Sequence, residues 1–342
     1  MRATVDRVGG DSQGRSTKVQ IRRVRKGDLS KVRDIIEQTF SDFMERQLGT
    51  RPRQPFGGAQ YVHHRWLMEP WGCFVAEEDH SKIVGAALGV TWGQVGLLGP
   101  VAVLTNYQNL KIGQQLIQAV DEFFEENKVM LRGLVTYPTS AKHLLLYSKF
   151  GYRPKALVAL MSRPLDRKDG RGPLRPPKGP LTVRRYSTLE ETRKKASLAR
   201  FHRITNGICR GLDLAKEVEI VDGLALGDTL LLERGRDLVG FAIYHTPGVS
   251  EAPLGSLYVK YLAIDPQQRR VEHLEQFVGA IEELAQELGT QRVLLPVYTR
   301  YWTAYTTLVK WGYQVEFTMV RMQRGKLEDY EDPTHLVLDD WR

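Results

Sequence analysis

The chain has 342 residues, 42% of them hydrophobic and 9% aromatic, and a formal net charge of +9. Length and composition favour two domains of globular protein over a disordered or fibrous chain. No run approaches the roughly 18 consecutive apolar residues of a membrane-spanning helix. Only two cysteines occur, Cys73 and Cys209, far apart and each among apolar neighbours, so free thiols in a reducing cytoplasm are expected rather than a disulfide framework.

The charge is uneven. Residues 1–165 hold 23 Lys+Arg against 15 Asp+Glu, and residues 181–342 hold 21 against 23. A basic first half can attract a polyanionic cofactor, a membrane surface or nucleic acid. Its cations are scattered rather than striped with aromatic residues, so nucleic acid is not the expected partner. No Cys/His cluster has metal-ligand spacing, and no metal is expected.

Residues 1–17 are polar and Gly-rich without the apolar centre of a signal peptide, and read as a flexible tail. A strand at 18–24 precedes a helix at 27–40, and 41–66 reads as a long loop. Apolar strands at 71–78 and 82–92 have a hairpin pattern, and a further strand ends near 101–103. In 110–127, Ile112, Leu116, Ile117, Val120, Phe123 and Phe124 fall on one helical face. A strand at 131–137, a helix at 140–150 and a last strand complete the first half. Residues 166–180, "DRKDGRGPLRPPKGP", read as a linker.

The second half repeats this order. Adding 161 takes Ala102 to Ala263, Lys149 to Lys310, Gly151 to Gly312, Tyr152 to Tyr313 and Met161 to Met322 without a gap. A period this long indicates a duplicated domain rather than a solenoid. The expected architecture is α/β (α+β): two tandem domains at 18–165 and 181–327, each a mixed, mostly antiparallel sheet flanked by helices, with a tail at 328–342.

One short turn carries chemistry. In "VAVLTNYQNLKIGQQLIQAV" (101–120) an apolar strand passes through a polar turn into an amphipathic helix. Unpaired amides and the positive end of the helix dipole make such a junction suited to phosphate. This turn, together with "LYSKFGYRP" at 146–154, resembles the GNAT superfamily of acyl-CoA-dependent N-acyltransferases, and the duplicated layout resembles a tandem GNAT protein. In that family the turn reads Gln/Arg-x-x-Gly-x-Gly/Ala and holds the pyrophosphate of CoA. Gln108 and Gly113 match, whereas Lys111 stands where the first glycine belongs; its ammonium can itself pair with phosphate at the rim.

The resemblance implies a set of cofactor contacts: Gln108, Asn109, Leu110, Lys111, Ile112, Gly113 and Gln114 in the turn, and backbone contacts from Val101, Ala102 and Val103. Ser140 stands where the family has asparagine. It also implies that Tyr147 protonates the departing CoA thiolate. In the second half Leu274 replaces Gly113, Glu272 replaces Lys111 and Leu308 replaces Tyr147. That half is expected to be degenerate and to cover a sheet, shape the acceptor pocket or dimerise.

No general base stands out. Asp42, Glu45, His63 and His64 are candidates in the 41–66 segment, although adjacent histidines usually mark a solvated stretch. A water chain, or an amine that arrives neutral, would serve instead. The expectation is a cytoplasmic enzyme that transfers acetyl from acetyl-CoA to the primary amine of a small molecule. A homodimer is compatible with this reading, and no membrane partner is expected. A longer acyl group, a protein amine or a non-catalytic acyl-CoA-binding or scaffold role are the rival readings.

Overall fold

The computed structural model describes residues 19–49, 56–78, 81–165, 180–325 and 329–342. The expected N-terminal tail and nearly all of the expected linker lie outside these residues. The first half runs β1 (Val19–Arg23), α1 (Leu29–Leu48), α2 (Tyr61–Met68), β2 (Cys73–Glu78), β3 (Lys82–Trp92), β4 (Val95–Val103), α3 (Ile112–Glu126), β5 (Leu131–Thr136), α4 (Ala141–Ser148) and β6 (Arg153–Pro164). The second runs β7 (Leu181–Arg185), α5 (Glu191–Ile208), α6 (Ala215–Gly223), β8 (Gly227–Arg234), β9 (Asp237–His245), β10 (Ser256–Ile264), α7 (Val271–Glu287), β11 (Arg292–Tyr298), α8 (Trp302–Lys310), β12 (Gln314–Gly325) and β13 (Val337–Asp339).

The segment 41–66 is not the expected loop. Helix α1 continues to Leu48 and stops at Gly49, whose φ of +74° lets its N–H reach Glu45 O at 2.8 Å. Phe40 of α1 stacks on Phe56 with ring centroids 4.1 Å apart, which holds the returning chain against the helix. Helix α2 then places both histidines, and His64 is buried rather than solvated.

The strands form one continuous, mostly antiparallel sheet in the order β1-β2-β3-β4-β5-β12-β6-β11-β10-β9-β8-β7, with β13 added against β10. The last strand of each half is exchanged. β12 of the second half lies on β5 of the first, and β6 of the first half lies on β11 of the second. At the centre β6 and β12 pair with each other, with Val315 opposite Met161 and Met322 opposite Pro154. Under the 161-residue offset these two pairings are the same pairing seen from either half, so the duplication generates a pseudo-twofold axis.

Side chains obey the same axis. The Tyr152 hydroxyl donates to Asp121 at 2.7 Å, and that of Tyr313 donates to Glu282 at 2.8 Å. Arg324 reaches across to Asp121 at 3.4 Å, and Arg163 to Glu282 at 3.6 Å. Each acid thus takes a tyrosine from its own half and an arginine from the other. The hydrophobic core crosses the boundary as well, joining Trp92, Leu97 and Leu131 to Tyr261, Leu295 and Trp341.

Residues 329–342, expected as a tail, are part of that core. Tyr330, Leu338 and Trp341 are fully buried. Arg321 is held between the rings of Tyr298 and Trp341, 3.9 Å from each centroid, and donates to Asp339 at 2.7 Å. A buried guanidinium needs this pairing and stacking to offset its desolvation.

Candidate active site

In the first half β4 and β5 run parallel only from Val95–Leu97 against Leu131–Gly133. Opposite β3 the register then slips: Gly89 faces Leu98 but Ala87 faces Val101, a bulge that bends β4 away from β5. The divergence opens a cavity of about 630 Å³ lined by the end of β4, the turn before α3, the end of β5, helix α4 and aromatic residues of α1 and α2. That size suits a small-molecule or cofactor site.

The turn delivers a helix N-terminus to this cavity. Asn109 and Lys111 have φ of +68° and +62°, the left-handed region. Lys111 therefore sits in the conformation that explains a glycine at its position, at a cost of roughly 1–2 kcal/mol for a residue with Cβ. The first helical donors are Gln114 and Gln115, both to Lys111 O, so the preceding turn amides project from the helix end. Gly113 lines the cavity, and its φ is not left-handed. A Cβ built there meets only Val103 Cγ2 at 3.8 Å. The fold itself does not demand glycine at 113; the glycine leaves room on the cavity side.

Of the residues expected to contact a cofactor, Val101, Val103, Gln108, Asn109, Lys111, Ile112, Gly113, Gln114 and Ser140 line the cavity, as does Tyr147. Two do not. Ala102 packs behind the cleft in the core, because alternate strand positions face opposite sides, and Leu110 is exposed to solvent. The Gln108 amide folds back to Val103 O at 3.1 Å and ties the turn to the strand end. Ser140 caps α4 by accepting from His143 N at 3.4 Å.

Tyr147 sits on α4 edge-on to Tyr152, and burial raises its phenol to about 12, so it is protonated at neutral pH. Cys73 is sequestered in the core, its thiol hydrogen-bonded to Glu69 O at 3.3 Å and pushed by burial to about 12. It has no route to the cavity as a nucleophile.

The structure redistributes the base candidates. The described lining residues include neither Asp nor Glu. Asp42 accepts from the Thr105 hydroxyl at 3.1 Å outside the lining, and Glu45, His63 and His64 are outside it too. The lining instead contains His143, whose ring packs against Phe43 near Tyr137. Burial, with the adjacent Lys142, lowers its pKa and keeps the imidazole neutral. The sequence signal was its position three residues after the Ser140 cap, one helical turn before Tyr147; only the placement of α1 shows that this face lines a cavity.

The second half presents the contrary geometry. β10 runs parallel to β11 at Ser256–Tyr258 and bulges at Lys260, the counterpart of Gly99. Its next residues, Tyr261–Ala263, are paired by β13. The counterpart of the open cleft is thus filled by the chain's own strand, and Leu274 is fully buried where Gly113 lines the cavity. Arg342 continues from this plug to the wall of the first-half cavity, where Met319 joins it.

Residues 69–154 match the family model for the acetyltransferase (GNAT) domain. They span β2 through α4, the cleft and turn just described. Over that segment, about a quarter of the chain, the protein is similar to a GNAT acetyltransferase domain. Solved structures share this fold over 90% or more of the chain. A proposed acetyltransferase from Pyrococcus horikoshii is 14% identical with a TM-score of 0.65, over 98% of each chain. A GCN5-related N-acetyltransferase from Sphaerobacter thermophilus is 14% identical with a TM-score of 0.60, over 92% of this chain and 96% of that one. A tandem GNAT protein from the clavulanic acid biosynthesis pathway is 10% identical with a TM-score of 0.53, over 90% and 98%. A search of curated protein sequences finds no match. No helix among the described residues is long and apolar enough to cross a membrane.

Proposed function

We propose that the first half is an acetyl-CoA-dependent N-acetyltransferase acting on the primary amine of a small molecule. The observation that carries this reading is the contrast between duplicates: the β4/β5 cleft is open above a helix N-terminus, and the β10/β11 cleft is closed by β13. The pyrophosphate of the donor is received by the turn amides of 109–113 and the Lys111 ammonium. Its extended arm lies along β4 in the place that β13 takes in the other half.

The acceptor enters between α1, α2 and the end of β5, past Phe40, Phe43, Tyr61 and Tyr137. His143 takes the proton that the amine loses as its nitrogen attacks the thioester carbon. Amides at the β4 bulge stabilise the oxyanion. The C–S bond then breaks, and Tyr147 gives its proton to the sulfur and recovers one from solvent. The lining favours this division of roles, since His143 is the described lining group that is both basic and neutral near pH 7, and Tyr147 holds its proton throughout that range. With Cys73 sequestered, direct transfer is favoured over an acyl-enzyme.

The test is release of free thiol from acetyl-CoA, followed with a thiol reagent, across a panel of small primary amines and a lysine peptide. Amine-dependent release that falls in a Tyr147→Phe variant supports the proposal. Tight acetyl-CoA binding without transfer to any amine would favour a non-catalytic acyl-CoA-binding protein.

A further inference from the structure

A second cluster of reactive side chains lies away from the cavity, between the two halves. His64 comes from α2 of the first half; Glu217 from α6 and His245 from β9 come from the second. All three are at least 98% buried. One donor atom from each, an imidazole nitrogen or a carboxylate oxygen, lies within 4.8 Å of the other two. The residues are 153 and 28 positions apart in the sequence, so no ligand spacing could announce them.

The donors are poorly satisfied as they stand. His64 Nε2 and Glu217 Oε1 are 2.9 Å apart, yet neither atom has a partner in hydrogen-bond geometry. Both ring nitrogens of His245 are buried without a partner. Buried imidazole nitrogens and carboxylate oxygens are rarely left so, because the lost hydration costs about 1–3 kcal/mol per group. A proton on His64 would serve the first pair and leave His245 unsatisfied. One cation among the three serves a nitrogen or oxygen of each.

The surroundings fit that use. The Trp92 indole donates to the other oxygen of Glu217 at 3.1 Å, and Ser250 Oγ lies 3.5 Å from His64 Nδ1. These contacts hold a carboxylate and a histidine tautomer as outer partners of metal ligands do. The nearby cations make their direct contacts elsewhere: Lys260 and Arg65 share Glu251 at 2.7 and 3.4 Å, and Arg342 pairs with Asp340. Glu217 is the carboxylate of this group that has no fixed cation.

We propose that His64, Glu217 and His245 form a binding site for a divalent transition-metal ion of the Zn²⁺ class, which staples the two halves together. A tetrahedral ion with bonds of about 2.0–2.2 Å spaces its donors about 3.4 Å apart, so binding parts His64 Nε2 and Glu217 Oε1, now 2.9 Å apart, slightly and sets all three donors, now within 4.8 Å of one another, at that common spacing. The fourth position is left to water or a small anion. The ion anchors α2, whose Tyr61 lines the cavity and whose Arg65 bonds Gly99 O at 2.9 Å in the β4 bulge. Its role is to hold the acceptor wall, outside the transfer chemistry itself.

The full-length protein, stripped with chelator and dialysed, is titrated with Co²⁺ and then Zn²⁺. The expected result is one equivalent per chain, a visible Co²⁺ spectrum of low coordination number that Zn²⁺ bleaches, and a melting temperature raised by about 5 °C at a hundredfold excess over Kd. His245→Ala and Glu217→Gln abolish the spectrum, and His63→Ala, one residue outside the cluster, keeps it. Wild-type protein that shows no Co²⁺ spectrum and no thermal shift with Zn²⁺ overturns the proposal, whether or not the variants fold. So does a spectrum that survives His245→Ala.

Discussion

Substitution at Gly113 separates the needs of the fold from those of the ligand. A Cβ at this position touches only Val103 Cγ2 at an ordinary 3.8 Å, and its φ is not left-handed. Alanine there costs the apo protein nothing and relieves a helical glycine, a gain of up to about 1 kcal/mol. Leucine extends the same bond vector into the cavity and displaces the phosphate from the turn amides. Losing two charge-assisted hydrogen bonds at about 1.5–3 kcal/mol each removes about 3–6 kcal/mol of binding, a 10²- to 10⁴-fold loss of affinity. Titration calorimetry with acetyl-CoA and thermal melting, run on the same preparations, read the two effects. The expected pattern is an unchanged or higher Tm for Gly113→Ala with modestly weaker binding, and no measurable binding for a well-folded Gly113→Leu. Wild-type affinity in Gly113→Leu refutes the placement of the cradle.

Three further outcomes follow from the site. Tyr147→Phe lowers kcat at least about tenfold, toward the 10²- to 10⁴-fold contribution of general acid catalysis, and leaves acetyl-CoA affinity unchanged by calorimetry. Because the folded His143 pKa is lowered, the free base is present at neutral pH and is lost as pH falls; kcat/KM therefore declines on an acid limb with its midpoint below about 6.5, and His143→Asn removes that limb along with most of the rate. Lys111→Gly relieves a left-handed residue and raises Tm, while its lost charge weakens acetyl-CoA binding and flattens the salt dependence of Kd.

Much of the fold was legible because its signals are local or repeated. The amphipathic face of α3 and the 161-residue offset were enough to set the element order and the tandem layout. Strand exchange was not legible. β6 and β12 share a buried stretch at Val158–Ser162 and Met319–Gln323, a pattern that does not say which sheet either strand joins. The 329–342 segment is polar at Asp332, Asp339 and Asp340, which disguised a strand whose acids are neutralised by Arg321 and Arg342. For the site, the turn and Tyr147 were visible as a contiguous pattern. His143 and the His64–Glu217–His245 group were not, because each depends on which distant helix packs alongside.

The central claim is that one half kept its cleft and the other filled it. Equilibrium titration of the full-length protein with acetyl-CoA measures this directly as a stoichiometry. The account predicts one molecule bound per chain, with binding lost in Gly113→Leu and unaffected by Glu272→Gln beside the closed cleft. Two molecules per chain, or one that persists in Gly113→Leu, would contradict it.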